Sequence, residues 1–315
     1  MRYKRMELHN HTTESDASIT CRQLVEFMAA DGADAFALTD HNTISGHDKV
    51  RKILKETGTP LSCIYGMEYT TYYGHILCFN LHEYVPWENI NLHKPELLFQ
   101  AVQQTGALAG IAHPFSYGAP FARGCRFEMQ ISDYSVVDFI EIMNNPEPLH
   151  EVNEKGMLLW ESLVLDGYKI AMTSGMDLHQ RSSMEDQFAT FVPALEGKTA
   201  AEELECAIRS QKTCISRGPV LECFLDEEKV TLSFSLTETA KPGFASREQA
   251  PWLVTLTSRE ETTVHALDDA VRLASLGNPR LLIPKLYQGD TRLEHLVCVG
   301  SVIELSKPKG GISVS

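Results

Sequence analysis

The chain has 315 residues and a formal net charge of −14, from 42 acidic against 28 basic side chains. That length accommodates one large domain and a small one. With no Lys/Arg-rich run to neutralise phosphates, long duplex nucleic acid is a poor partner, whereas a mononucleotide or short oligonucleotide stays open.

In chain order, the first informative segment is Glu7-Leu8-His9-Asn10-His11, followed by Asp16. His9 and His11, two residues apart, share a face if the backbone is extended, and two neighbouring imidazoles are good ligands for first-row metals. The stripe Leu24, Phe27, Met28 predicts a helix over 20–30. The apolar run 35–38 then leads into Asp40 and His41. A second helix is predicted over 44–56, with Ser45 as its N-cap. The run 61–67 ends at Glu68, and His75 heads the run 76–79. A helix over 95–105 starts with Pro in its first turn. The run 107–112 ends at His113, and 136–140 ends at Glu141. After a helix over 149–165, the run 170–176 ends at Asp177-Leu178-His179, and a last helix covers 199–210.

Short apolar runs bounded by polar residues read as buried parallel strands. Strands alternating with helices give βα units, and polar groups at the C-terminal strand ends are how such barrels build active sites. With about six to seven units over residues 1–212, a full eightfold barrel is out of reach. The expected fold is α/β, a distorted parallel (β/α) barrel of about seven strands. Residues 213–315 change character: 220–225, 230–236 and 252–257 are β-rich, 240–243 and 246–251 are turn-like, 266–276 reads as a helix and 293–305 as further strand. This predicts a small β-rich appendage of illegible role; a cap on the barrel, a dimer contact and plain stabilisation all remain open.

The segments ELHNHTTESDA, ALTDHN, GMEY, GHILCF, IAHPF and SGMDLH, in that order, resemble the PHP (polymerase and histidinol phosphatase) superfamily of metal-dependent phosphoesterases over about residues 1–212. Glu7 and Ala17 stand where Asp and Gly are common in that family, and Met176 lies inside the last motif, but no ligand position is altered. The segment 213–222, TCISRGPVLE, is similar to the CehA/McbA-like branch. The resemblance implies two or three divalent metal ions in a cup at the barrel mouth. His9, His11, Glu68 and Asp177 would hold the first, and Glu68, as a bridge, with His75 and His113 the second. Asp16, His41 and His179 would hold a third. Six imidazoles with three carboxylates suit Zn, Mn or Fe.

The implied reaction is hydrolysis of a small phosphate ester (a phosphomonoester, nucleotide or short oligonucleotide) by a metal-bridging hydroxide, with Glu68, Asp177 and His179 at its centre. Three cations against three carboxylates and a hydroxide leave about two positive charges, a match for a phosphate dianion. Asp40 is expected to orient a ligand. Glu141, with Asn144 three residues on, reads either as a support or substrate-facing group, or as a structural acceptor at a strand end. Arg123, Arg126 and Arg181 are candidate phosphate contacts, and Tyr72, Tyr73 and Tyr117 candidate stacking partners. Two other classes stay open: a metal-dependent carboxylic ester or carbamate hydrolase, and a non-catalytic metal-stabilised module. The other six histidines match no motif.

Eight cysteines include no Cys-x-x-Cys pair, and Cys63 and Cys78 lie inside apolar runs as small hydrophobes. No apolar run has the length of a membrane span or follows the basic N-terminal residues as a signal would, so a soluble, cytoplasmic protein with no membrane partner is expected. Oligomeric state has no signature in the sequence.

Overall fold

The computed structural model describes residues 2–118, 123–144, 149–239, 241–246 and 250–305. The barrel half runs β1 (Tyr3–Glu7), α1 (Cys21–Asp31), β2 (Ala35–Leu38), α2 (His47–Thr57), β3 (Ser62–Thr71), β4 (Gly74–Phe79), α3 (Glu96–Gln104), β5 (Leu108–Ile111), β6 (Phe139–Asn144), α4 (Glu151–Leu165), β7 (Ala171–Gly175), β8 (Ala189–Pro193) and α5 (Ala200–Arg209). The helices form where expected. α1 is started by a capping box in which Thr20 and Gln23 satisfy each other's backbone N–H groups, and it ends on left-handed Gly32. α2 starts at His47 after an N-cap at Gly46, one residue later than a Ser45 cap would give, because the Ser45 hydroxyl is spent on Glu14 at 2.7 Å.

β1, β2 and β3 are parallel neighbours, as are β5, β6 and β7. The ring is closed above β1 and β7, where Asn10 bridges Leu178 in parallel and the His11 N–H donates to the Leu178 carbonyl at 2.9 Å. The result is a seven-stranded barrel, mixed rather than wholly parallel: β4 runs antiparallel to both β3 and β5. The link from β3 to β4 is a tight turn at 72–73, too short for the crossover a parallel strand needs. β8, which the sequence pattern did not reveal as a strand, pairs antiparallel with β1, and its Thr190 hydroxyl bonds both backbone groups of Ser174 in β7. It fills the gap between β1 and β7 where they diverge. Met6, Ala35, Ile64, Phe79, Leu108, Phe139 and Ala171 fill the interior with Leu204 and Ile208 of α5, which therefore plugs the end where most strands begin.

The C-terminal strands are β9 (Cys214–Ser216), β10 (Val220–Asp226), β11 (Thr231–Thr237), β12 (Trp252–Thr257), β13 (Thr262–Ala266), β14 (Val271–Arg272), β15 (Leu281–Gln288), β16 (Leu296–Val299) and β17 (Ile303–Glu304). Residues 266–276 hold the end of β13, β14 and a short 3₁₀ turn, not an α-helix. The barrel sheet continues into this half: β8 pairs β9, β9 pairs β16, and β16 pairs β15, which pairs β12. β10, β11 and β14 form a separate three-stranded sheet. Ile215, Ile283, Leu296 and Val299 share one apolar cluster with Trp160 and Met157 of α4. Two ion pairs buried on both sides also cross the boundary, Lys285 to Glu161 at 2.7 Å and Lys241 to Glu7 at 3.2 Å.

Candidate metal centre

The strand ends and the loops that follow them place all nine expected ligand residues around one cup. Glu68 lies near the end of β3, and the antiparallel turn returns the chain so that His75, at the start of β4, stands beside it. His113 follows β5, Asp177 and His179 follow β7, and His9 and His11 follow β1. Three of these residues have positive φ: His9 at 85°, Asp177 at 50° and His113 at 24°. Non-glycine residues there carry about 1–3 kcal/mol of strain each, which persists only where the surroundings impose it. Gly175 permits the crowding beneath the cup, since a Cβ on it would stand 1.9 Å from the Leu8 carbonyl oxygen and 2.6 Å from the His9 Cβ.

Three donor sets share this space. In the first, His9 Nε2 lies 3.3 Å from both Glu68 Oε2 and Asp177 Oδ1, and His11 Nε2 lies 2.9 Å from Asp177 Oδ1 and 3.5 Å from Glu68 Oε2. In the second, Glu68 Oε1 is 2.9 Å from His75 Nδ1 and 3.1 Å from His113 Nε2. In the third, Asp16 Oδ1 is 3.3 Å from His179 Nε2 and 3.5 Å from His41 Nε2, which are themselves 3.3 Å apart. Ligand bonds of ~2.05 Å around a tetrahedral cation give donor–donor edges of ~3.3 Å, so these separations fit a first-row divalent ion. His9 Nε2 is also buried with no hydrogen-bond partner, which suits a ligand atom. The site is a candidate divalent-metal site.

The neighbours fix which nitrogen faces the cup. A carboxylate or carbonyl can only accept, so His9 Nδ1 donates to Glu141 at 3.0 Å, His113 Nδ1 to the Cys125 carbonyl at 3.0 Å, and His179 Nδ1 to the Asp177 carbonyl at 2.8 Å. Glu141 is buried and also accepts from the His113 N–H and from Asn144, and with His9 and His113 it makes a further group of donor atoms close enough to hold a cation. Asp40 accepts from the Thr12 N–H, the Thr12 hydroxyl and the Ser15 hydroxyl; it shapes the loop that presents Asp16 and belongs to no donor set.

The charges hold one another. Burial alone would neutralise Glu68, but His9, His75, His113 and His41 outweigh it and keep the carboxyl well below its ordinary range. Asp177 is lowered likewise against its burial, mainly by His9 and His11. Burial would depress His113, yet its bond to Glu68 and the charges of Asp177, Glu68 and Glu141 raise it to about 9. For His11 burial prevails and lowers it to about 4.

The cup opens into a cleft of about 1170 Å³ lined by Ser15, Thr70, Thr71, Tyr72 and Ser182 among others. No arginine or lysine lines it among the described residues. Arg126 and Arg181 are exposed and do not line the cleft, although their neighbours Cys125, Gln180 and Ser182 do. Arg123 begins a short 3₁₀ turn whose Gly124 and Cys125 reach the cleft; its side chain falls outside the described residues, as do positions 240 and 247–249 of the two turn-like stretches. Tyr72 stands at the rim, 60% exposed. The supports that sequence reasoning missed are the Cys125 and Asp177 carbonyls, which leave no side-chain signature, and Thr12 and Ser15, legible only as polar neighbours of the histidines.

A mixed barrel with clustered histidines and carboxylates at the strand ends defines a fold of the metal-dependent hydrolase class. Residues 7–117 match the PHP domain family model. Uncharacterized protein MJ1587 of Methanocaldococcus jannaschii is 30% identical over 121 residues, 35% of this chain and 67% of that protein. The chain belongs to the PHP superfamily. A 5'-3' exoribonuclease of Haemophilus influenzae is 40% identical over 68 residues, 22% of this chain; the match spans only 24% of that enzyme's length. Among solved structures, a two-domain protein from Bacteroides vulgatus, described as containing a predicted PHP-like metal-dependent phosphoesterase, has a TM-score of 0.54 at 15% identity, covering 96% of this chain and 95% of that one. That likeness speaks for the fold.

Proposed function

We propose that the protein is a metal-dependent hydrolase of small phosphate esters, with Zn²⁺, Mn²⁺ or Fe²⁺ held by His9, His11, Asp16, His41, Glu68, His75, His113, Asp177 and His179. The observation that carries this reading is the sharing of Glu68: its two oxygens face different donor sets, so two cations would sit on either side of one buried carboxylate. Cations bound there would supply Lewis acidity and a water acidified towards neutrality. Asp177 would lock His9 and His11 to the same cation, and His179, with its Nδ1–H held by a carbonyl, offers only Nε2. The Ser182 hydroxyl in the cleft would orient an ester oxygen, since those of Ser15 and Thr71 are spent on Asp40 and on the Gly74 carbonyl. The likeness to an exoribonuclease favours a nucleotide or short oligonucleotide leaving group, and the net charge of −14 disfavours a long duplex.

The lack of a guanidinium among the described lining residues favours, as a second reading, a carboxylic ester or carbamate. A panel of phosphomonoesters, nucleotides, short oligonucleotides and carboxylic esters separates the two. Phosphate-ester turnover is expected, competitively inhibited by inorganic phosphate and reduced at least ~10²-fold by Asp177→Asn. Turnover of carboxylic esters or carbamates alone, without phosphate inhibition, would overturn the first reading.

A further inference from the structure

The SRGP segment at 216–219 has no part in the cup, yet it meets the loop that carries two of the cup's residues. That loop runs from Met176 to Phe188 and contains Asp177 and His179. Its near end is tied by the Ser18 N–H donating to the His179 carbonyl at 2.8 Å, and Met176, Leu178 and Met184 are buried together. Its far end is gripped from the C-terminal half. Arg217 Nη1 contacts both Asp186 carboxylate oxygens, at 3.2 and 3.0 Å. The Asp186 N–H donates to the Pro242 carbonyl at 3.1 Å. Gly243, at φ 86°, lies so close that a Cβ would stand 2.4 Å from the Glu185 Cβ and 2.6 Å from the Asp186 nitrogen.

The guanidinium is itself immobilised: Nε donates to the Leu296 carbonyl at 2.9 Å and Nη2 to the Glu294 carbonyl at 3.2 Å. A rigid fork held on one side and aimed at a carboxylate on the other sets a position, and gives little stability when that carboxylate is half exposed. Asp186 side-chain exposure is 49%, and its backbone is left-handed at φ 58°.

We propose that Arg217, with Pro242 and Gly243, is a positioning clamp of the C-terminal half that holds the 176–188 loop so that His179 stays in the donor set with Asp16 and His41. That set is the exposed one: Asp16 and His179 side chains are 60% and 36% accessible, whereas His9, His11 and Glu68 are fully buried on strand ends. Asp177 is on the same loop and 25% accessible, but the adjacent Leu178 is hydrogen-bonded on both sides to the His9–His11 segment, at 3.3 and 2.9 Å, so loss of the clamp reaches the third set first.

The inference rests on the metal-binding reading, and Mn²⁺ alone is the probe. Mn²⁺ binding to the full chain is followed by equilibrium dialysis for wild type, Arg217→Ala and Asp186→Ala, with thermal unfolding of each metal-free protein alongside. Asp186→Ala leaves Arg217 on its carbonyls and so removes only the loop's end of the tie. The weakest class of Mn²⁺ sites is expected to weaken by about 10-fold or more in both variants, the scale for losing a group that orients a ligand, with tighter classes unchanged. Equal weakening of all classes, or none in either variant, overturns the clamp. A wild type that binds no Mn²⁺ overturns the metal reading itself.

Discussion

At the scale of single residues, most of the nine candidate donors stand out in sequence because they close a short apolar run or begin one, a local pattern, and Asp16 stands out by its spacing to His9 and His11. What orients them does not, because the partners are remote in sequence: Glu141 lies 132 residues from His9, and the Cys125 carbonyl 12 from His113. His113 makes the consequence measurable. With no cation bound, its imidazole is raised to about 9, so below that pH it carries a proton. A cation taking Nε2 must expel the proton, and affinity then falls as pH falls. Mn²⁺ affinity is expected to rise between pH of about 6 and about 9, with proton release seen calorimetrically as a heat that varies with the buffer's ionisation enthalpy. Affinity flat across that window would remove His113 from the donor set.

At the scale of elements, periodicity found six of the barrel's strands and every helix, and it missed direction. An apolar run such as Ile76–Phe79 looks the same read either way, so the reversal of β4 was hidden; only the brevity of the turn before it carried the information. β8 was missed because Ala189–Pro193 ends in no ligand-type residue. The β3–β4 hairpin is nonetheless tightly specified. A Cβ on Gly66 would stand 2.1 Å from the Cys78 carbonyl oxygen, and this contact is with backbone, which cannot swing aside. Gly66→Ala is expected to lower stability by about 1–3 kcal/mol in urea unfolding, the range for overpacking a core. Wild-type stability would show that the strands separate more readily than this.

At the scale of the whole molecule, a change of pattern near residue 212, from helix-alternating to β-rich, is legible in sequence. The contacts across it were not, since Lys241 and Glu7 are 234 residues apart. With Ile215, Ile283, Leu296 and Val299 packed on α4, a 1–212 fragment would expose apolar surface that the intact chain covers. That fragment is expected to aggregate or to bind an apolar dye strongly; a soluble monomer that loads metal normally would show the barrel to be autonomous. No helix among the described residues is long and apolar enough to cross a membrane.

The three-residue strand β9, seated between β8 and β16, also bears on inheritance. A boundary crossed by a shared sheet is not one at which genes can be shuffled freely. A lineage borrowing this barrel would have to borrow the strands beyond it, or evolve a new cover for the side of β8 that β9 now occupies. The two halves are thus bound to diverge together, substitutions in one being judged against the other.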